Sequence, residues 1–156
     1  MSGKGCLYEE DFIRWTEAQA AGLRGAAETK SNLPLDWLNL AEEVESLGRS
    51  QRRELRRRLA NIIEHLLKLQ YSPATEPRIG WIETIGRERR EIERLLEDSP
   101  SLRGELEQAL AAEWQRTASF VAEVLEQRGE LDPDSSFPLR SKSYSVEQLL
   151  GAWLPD

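Results

Sequence analysis

The residues with most chemistry to offer are the carboxylates Glu42, Glu43 and Glu45, followed later by Glu64 and the single histidine, His65. Helical bundles that hold metal ions use inward-facing glutamates with a Glu-x-x-His pair. The spacing here departs from that pattern. Glu64 and His65 are adjacent, so they point about 100° apart on a helix, and the position three before His65 is Ile62. A metal-binding or hydrolytic site on Glu42, Glu45 and His65 is therefore only the alternative reading, and no cofactor is expected. General acid–base work by His65 would need a cleft and a partner that the spacing does not supply. A hydrogen bond to a carboxylate on a neighbouring helix is the expected role.

A second cluster is basic. Arg49, Arg52, Arg53, Arg56 and Arg57 fall within an arc of roughly 140° on one helix, a geometry that can follow phosphates. Against nucleic-acid binding stand the formal net charge of −7, the interspersed Glu54 and the absence of an interleaved aromatic or a helix-turn-helix spacing. A nucleic-acid-associated regulator is the third reading. Arg89 and Glu113 each fall inside an apolar helix face, and a buried charge needs a partner. A partly buried ion pair between Arg89 and Glu45 or Glu113 is expected to fix helix register. The glycines are isolated, so no phosphate loop is present, and Ser, His and Asp show no triad spacing. The five tryptophans fall on or beside apolar stripes, which is core packing. Trp37 or Trp153, if exposed beside Leu38, would mark a partner surface.

The elements that position these residues read as helices. Tyr8, Phe12, Trp15 and Leu23 recur at helical spacing over Tyr8 to Arg24. Asp36 starts a second helix as its cap, with Leu35 and Leu40 as a hydrophobic staple. Gly48 then leaves a choice between a cap-and-restart and a kink. Leu55, Leu59, Ile62, Ile63, Leu66 and Leu69 share an arc of roughly 120°, and the helix stops near Tyr71 before two prolines. A further helix covers about Arg78 to Glu97. Ser99-Pro100 reads as cap and first position of a long helix that Gly129 ends. Residues 130–143, with prolines at 133 and 138, read as an extended connection anchored by Phe137. Ser145-Val146-Glu147-Gln148 is a capping box with a Tyr144/Leu149 staple, which predicts a short closing helix with Trp153 docking the tail.

A length of 156 residues predicts one domain, with residues 1–7 frayed. The class is all-α: an antiparallel bundle of about five main helices with a short C-terminal helix. Cys6 is the only cysteine, so no internal disulfide forms. No stretch is apolar enough for a membrane span and no leader is seen, so a cytoplasmic protein without membrane attachment is expected.

The order of these pieces carries a resemblance. Leu40-Ala41-Glu42-Glu43-Val44-Glu45-Ser46-Leu47-Gly48, His65-Leu66-Leu67-Lys68, a helix containing Trp81 and Ser99-Pro100-Ser101-Leu102 follow one another. With Asp11, Phe12 and Trp15 before them and Tyr144 to Leu150 after, the chain resembles the bacterial family catalogued as domain of unknown function 29. The resemblance implies a compact all-α fold with no assigned activity and no catalytic residues to carry over. The first functional reading is thus a noncatalytic helical module that binds an unknown protein partner or associates with itself.

Overall fold

The computed structural model describes residues 6–29 and 32–156, and every regular element among them is helical. They are α1 (Leu7–Glu10), α2 (Phe12–Glu28), α3 (Trp37–Tyr71), α4 (Arg78–Asp98), a 3-10 helix (Pro100–Glu105), α5 (Leu106–Gln127), α6 (Pro133–Ser141) and α7 (Val146–Leu150). The all-α class read from the sequence is the one found. Of the expected frayed stretch, residues 1–5 lie outside the described residues, and Leu7 already begins α1. The chain divides into two compact units, Met1–Glu54 with Arg94–Gly104, and Leu55–Glu93 with Glu105–Asp156. Among the described residues no helix is long and apolar enough to cross a membrane.

In the first unit the expected helix from Tyr8 breaks at Asp11, whose backbone is extended at φ −157 and ψ 99. The break gives α2 its cap. The Asp11 carboxylate accepts from Arg14 N–H at 3.0 Å, from Ser101 N–H at 2.8 Å and from the Ser101 hydroxyl at 3.0 Å. Ser99 Oγ accepts from Ile13 N–H at 3.2 Å and donates to Gln51 Oε1 at 2.6 Å. N–H groups that a helix start leaves unpaired are thereby satisfied. Ser99 does not open a long helix as expected. Its hydroxyl is turned to α2 and α3, Pro100–Glu105 winds as 3-10, and α5 begins at Leu106.

Helices α2 and α3 run antiparallel in this unit, since Glu17 meets Arg52 at 3.0 Å and Arg24 meets Glu45. Buried Ala20, Ala41 and Gly48 keep the contact close. α3 passes through Gly48 uninterrupted, so the cap-and-restart does not occur. The glycine is there for space: a Cβ at position 48 would lie 2.7 Å from Thr16 Oγ1. Asp36 caps α3 as read, accepting from Asn39 N–H at 3.2 Å, while Leu35 and Leu40 both stay exposed.

In the second unit the later part of α3 lies antiparallel to α4. Arg58 meets Glu88 at 3.1 Å near one end, and Arg78 donates to the Leu69 carbonyl at 2.9 Å near the other. Leu59, Ile62, Ile63, Leu66, Ile85 and Ile92 are among its fully buried side chains. α5 ends in a Schellman motif: Gly129 takes φ +67, its N–H bonds Glu126 O, and Glu130 N–H bonds Leu125 O.

Two expectations for this unit are corrected. Residues 133–141 form α6 and not an extended connection. Pro133 sits at the helix start, where its missing N–H is not needed, and Pro138 removes only one ladder bond of a short helix. Glu126 of α5 holds α6 through the Ser136 hydroxyl at 2.8 Å and Arg140 at 3.5 Å. The anchor is Leu139, fully buried, whereas Phe137 is 77% exposed. Arg89, in turn, pairs with neither Glu45 nor Glu113. It donates to the carbonyls of Leu149 at 2.7 Å, Gln148 at 2.9 Å and Trp153 at 2.7 Å. A guanidinium has five donors in a planar fork, and the end of α7 offers carbonyls that no helix ladder satisfies. The tail is clamped by that fit. The capping box of Ser145 and Gln148 forms as read, and Trp153 docks against Tyr144 at 5.3 Å.

Three outcomes follow from these contacts. Gly48→Ala is expected to destabilise by about 1–3 kcal/mol through overpacking, although glycine to alanine inside a helix normally stabilises. Combining it with Thr16→Ala should remove most of that cost, and a double-mutant cycle by urea denaturation reads the coupling. Asp11→Asn should cost about 1–3 kcal/mol at pH 7 by weakening the cap and the Ser101 contacts. Burial pushes the Asp11 carboxyl up, but the N–H donors of Arg14 and Ser101 outweigh it and hold it below 3.8. Its contribution is therefore full above the unfolded value and lost as pH falls through the lower folded one, so the gap between wild type and variant should begin to close only below about pH 4. Arg89→Met should cost about 2 kcal/mol or more and raise amide exchange across 146–153, with Arg89→Lys only partly restoring protection.

Candidate functional site

The residues singled out by their chemistry are mostly committed to structural partners. Glu42 meets Arg49 at 2.6 Å, and Glu45 meets Arg24, whose hydrogen bond and charge hold the Glu45 carboxyl below its ordinary value. Both belong to the first unit. His65 belongs to the second, twenty residues beyond Glu45, and its Nδ1 donates to the Asn61 carbonyl at 2.7 Å within α3. The bond to a neighbouring carboxylate is replaced by one to the backbone a turn earlier. Among the described residues no group of three His, Cys, Asp or Glu could hold a metal ion. Glu113, buried, lies 4.0 Å from Arg116.

The basic strip is partly neutralised. Arg49 and Arg52 pair with Glu42 and Glu17, while Arg53, Arg56 and Arg57 are exposed. Trp37 and Trp153 are half-buried, and Leu38 beside Trp37 is 63% exposed.

Each unit has a cavity of its own among the described residues. The first is a cavity of about 450 Å³ lined by Tyr8, Glu9, Phe12, Gln51 and Asp98. The break at Asp11 builds it: α1 ends, the chain turns at an extended residue, and Tyr8 and Phe12 come from opposite sides of the turn with ring centroids 5.9 Å apart at 72°. Trp15 backs both, edge-on to Tyr8 at 4.9 Å and stacked on Phe12 at 5.8 Å. Gln51 is fixed by the Ser99 hydroxyl. Glu9 and Asp98 are exposed and carry no ion pair among the described residues. An aromatic wall beside two uncompensated carboxylates attracts a cation, through the negative faces of the rings and through charge.

The second cavity, about 250 Å³, is lined by Gln70, Tyr71, Lys142, Ser143, Tyr144, Gln148 and Trp153. Tyr144 is buried, stands edge-on to Trp114 at 5.2 Å and donates to Gln70 Oε1 at 2.5 Å. Burial pushes its hydroxyl well above the ordinary tyrosine value, with nearby Tyr71 adding to the shift, and burial raises Tyr71 as well. Both hydroxyls stay protonated at neutral pH.

Neither cavity was visible in the sequence. Glu9 and Asp98 stand 89 positions apart in no recognisable motif, and Lys142 falls in the stretch read as an extended connection. The capping box at Ser145 was the one local signal, since it placed Tyr144 and Gln148 beside the tail.

No curated protein matches the chain. A crystal structure of an alpha-helical protein of unknown function from Rhodospirillum rubrum is similar in fold, with a TM-score of 0.74 at 24% identity over 96% of this chain and 92% of that one. Residues 7–154 match the family described as domain of unknown function DUF29, the family that the sequence resembles, and the chain belongs to it.

Proposed function

We propose that the chain is a noncatalytic binding module, working as one domain, whose partner is a protein segment that places a lysine or arginine side chain in the cavity of Tyr8, Glu9, Phe12, Gln51 and Asp98. The observation that carries this reading is the pair of uncompensated carboxylates, Glu9 and Asp98, on an aromatic-lined cavity. Other polar groups with chemical potential are engaged: Asp11 by three donors, His65 by a carbonyl, Glu42 and Glu45 by arginines.

A protein segment fits better than a free cation because an apolar track leads to the cavity. Leu40 and Leu47 are 39% and 47% exposed, and with Gln51 they fall within an arc of about 40° on α3. From Leu40 to Gln51 is about 16 Å, three turns of a partner helix. A segment with two apolar residues and a basic one at matching spacing covers the track and fills the cavity.

A single cation contributes about 0.5–2 kcal/mol at such a site, so an isolated side chain binds only weakly. In a ¹⁵N-resolved NMR titration, N-acetyl-arginine amide should shift the amides of Tyr8, Phe12, Gln51 and Asp98, and the neutral citrulline analogue should not. Glu9→Gln with Asp98→Asn should remove the response while leaving the spectrum folded. Equal shifts from the citrulline analogue would end the reading.

A further inference from the structure

The cavity of the second unit has the opposite chemistry from that of the first. No carboxylate lines it, and it offers one cation and several open donors. The Gln70 amide oxygen is taken by the Tyr144 hydroxyl, and the Gln148 amide oxygen by Ser145 N–H at 2.9 Å. An amide whose oxygen meets an N–H or O–H has its orientation fixed, so the NH₂ groups of both glutamines are the ends left for a ligand. The Lys142 ammonium and the Tyr71 hydroxyl line the same cavity and have no hydrogen-bond or ionic partner among the described residues. A lining that offers open N–H and O–H donors and one cation, and no carboxylate, favours a ligand with acceptors and negative charge. Trp153 adds an aromatic surface, held in place by the Arg89 bond to its own carbonyl and by Tyr144.

We infer that this cavity binds a small planar organic carboxylate, the anionic group meeting Lys142 and Tyr71 and the flat body lying against Trp153. A volume of about 250 Å³ lies below the range of drug-sized ligand sites and fits a single ring with its acid group. The chain as a whole is acidic, with a formal net charge of −7, so a donor cavity on it concentrates no anions by long-range attraction. Recognition has to come from the local groups. That makes the site sensitive to single substitutions and selective between a carboxylate and its neutral amide. The raised tyrosine hydroxyls agree with this, because they remain donors across the range in which a carboxylate is ionised. The inference is independent of the cation site, which lies in the other unit.

The test follows the Trp153 indole N–H signal, assigned by its loss in Trp153→Phe, while benzoate, benzamide and acetate are added to the full chain at constant ionic strength. Benzoate should shift it saturably, benzamide should bind at least tenfold more weakly for want of the charge, and acetate should bind more weakly for want of the ring. Lys142→Gln, an exposed change, should weaken benzoate at least tenfold and Tyr71→Phe about threefold, both with unchanged melting temperature. The Glu9→Gln/Asp98→Asn protein should bind benzoate as wild type does. Equal binding of benzamide, or an unaltered benzoate titration in Lys142→Gln, would overturn the inference.

Discussion

A helix ends in backbone groups that its own ladder cannot satisfy, and the placement of this chain's polar side chains follows from that constraint. Asp11 answers it at the start of α2 and again at the 3-10 turn, where one carboxylate takes three donors. Arg89 answers it at the end of α7 with three donated bonds. Gly129 answers it at the end of α5 by adopting φ +67, and Ser145 with Gln148 at the start of α7. The charges used this way are engaged in holding helix ends. Each is matched to groups of opposite hydrogen-bonding sense, and removing it would leave buried backbone unpaired.

The part of this that was legible in the sequence is the part whose cause is local. The stop at Tyr71, the start at Arg78, the Asp36 cap and the Ser145 capping box depend on residues within a turn or two of one another, and the helices begin and end there. The break at Asp11 was hidden because Tyr8, Phe12 and Trp15 keep helical spacing straight through it, and two of the three donors that hold the carboxylate come from Ser101, 90 residues away. α6 was hidden by its prolines, whose cost is small in a helix of nine residues held by Leu139 and Glu126. Arg89 sits on an apolar helix face, and there it is met by carbonyls and not by the carboxylates expected of it. Its partners were missed because every residue carries a carbonyl, so no side-chain pattern announces them.

Charge is divided within the molecule in a way the net value conceals. Arg58 and Glu88, both largely buried, neutralise each other inside the second unit at 3.1 Å, and the long basic strip is met in part by Glu17 and Glu42. Among the charges that carry no ion pair in the described residues are two acids beside one aromatic wall and one lysine beside another. Exposed ion pairs contribute little to stability, so leaving these few groups unpaired costs the fold little while leaving their full charge for a ligand.

Both cavities sit beside caps, and the reason is mechanical. A binding surface needs side chains whose positions are fixed before the ligand arrives, since ordering them on binding subtracts from affinity. The turn at Asp11 brings Tyr8 and Phe12 together and, through Ser99, fixes Gln51. The Ser145 box consumes the Gln148 oxygen, and the Arg89 clamp fixes the Trp153 backbone. The same bonds that satisfy helix ends therefore hold the walls of the cavities. Changes at Asp11 or Arg89 should accordingly loosen a cavity as well as the fold, whereas changes at Glu9, Asp98 or Lys142 alter only what the cavity attracts.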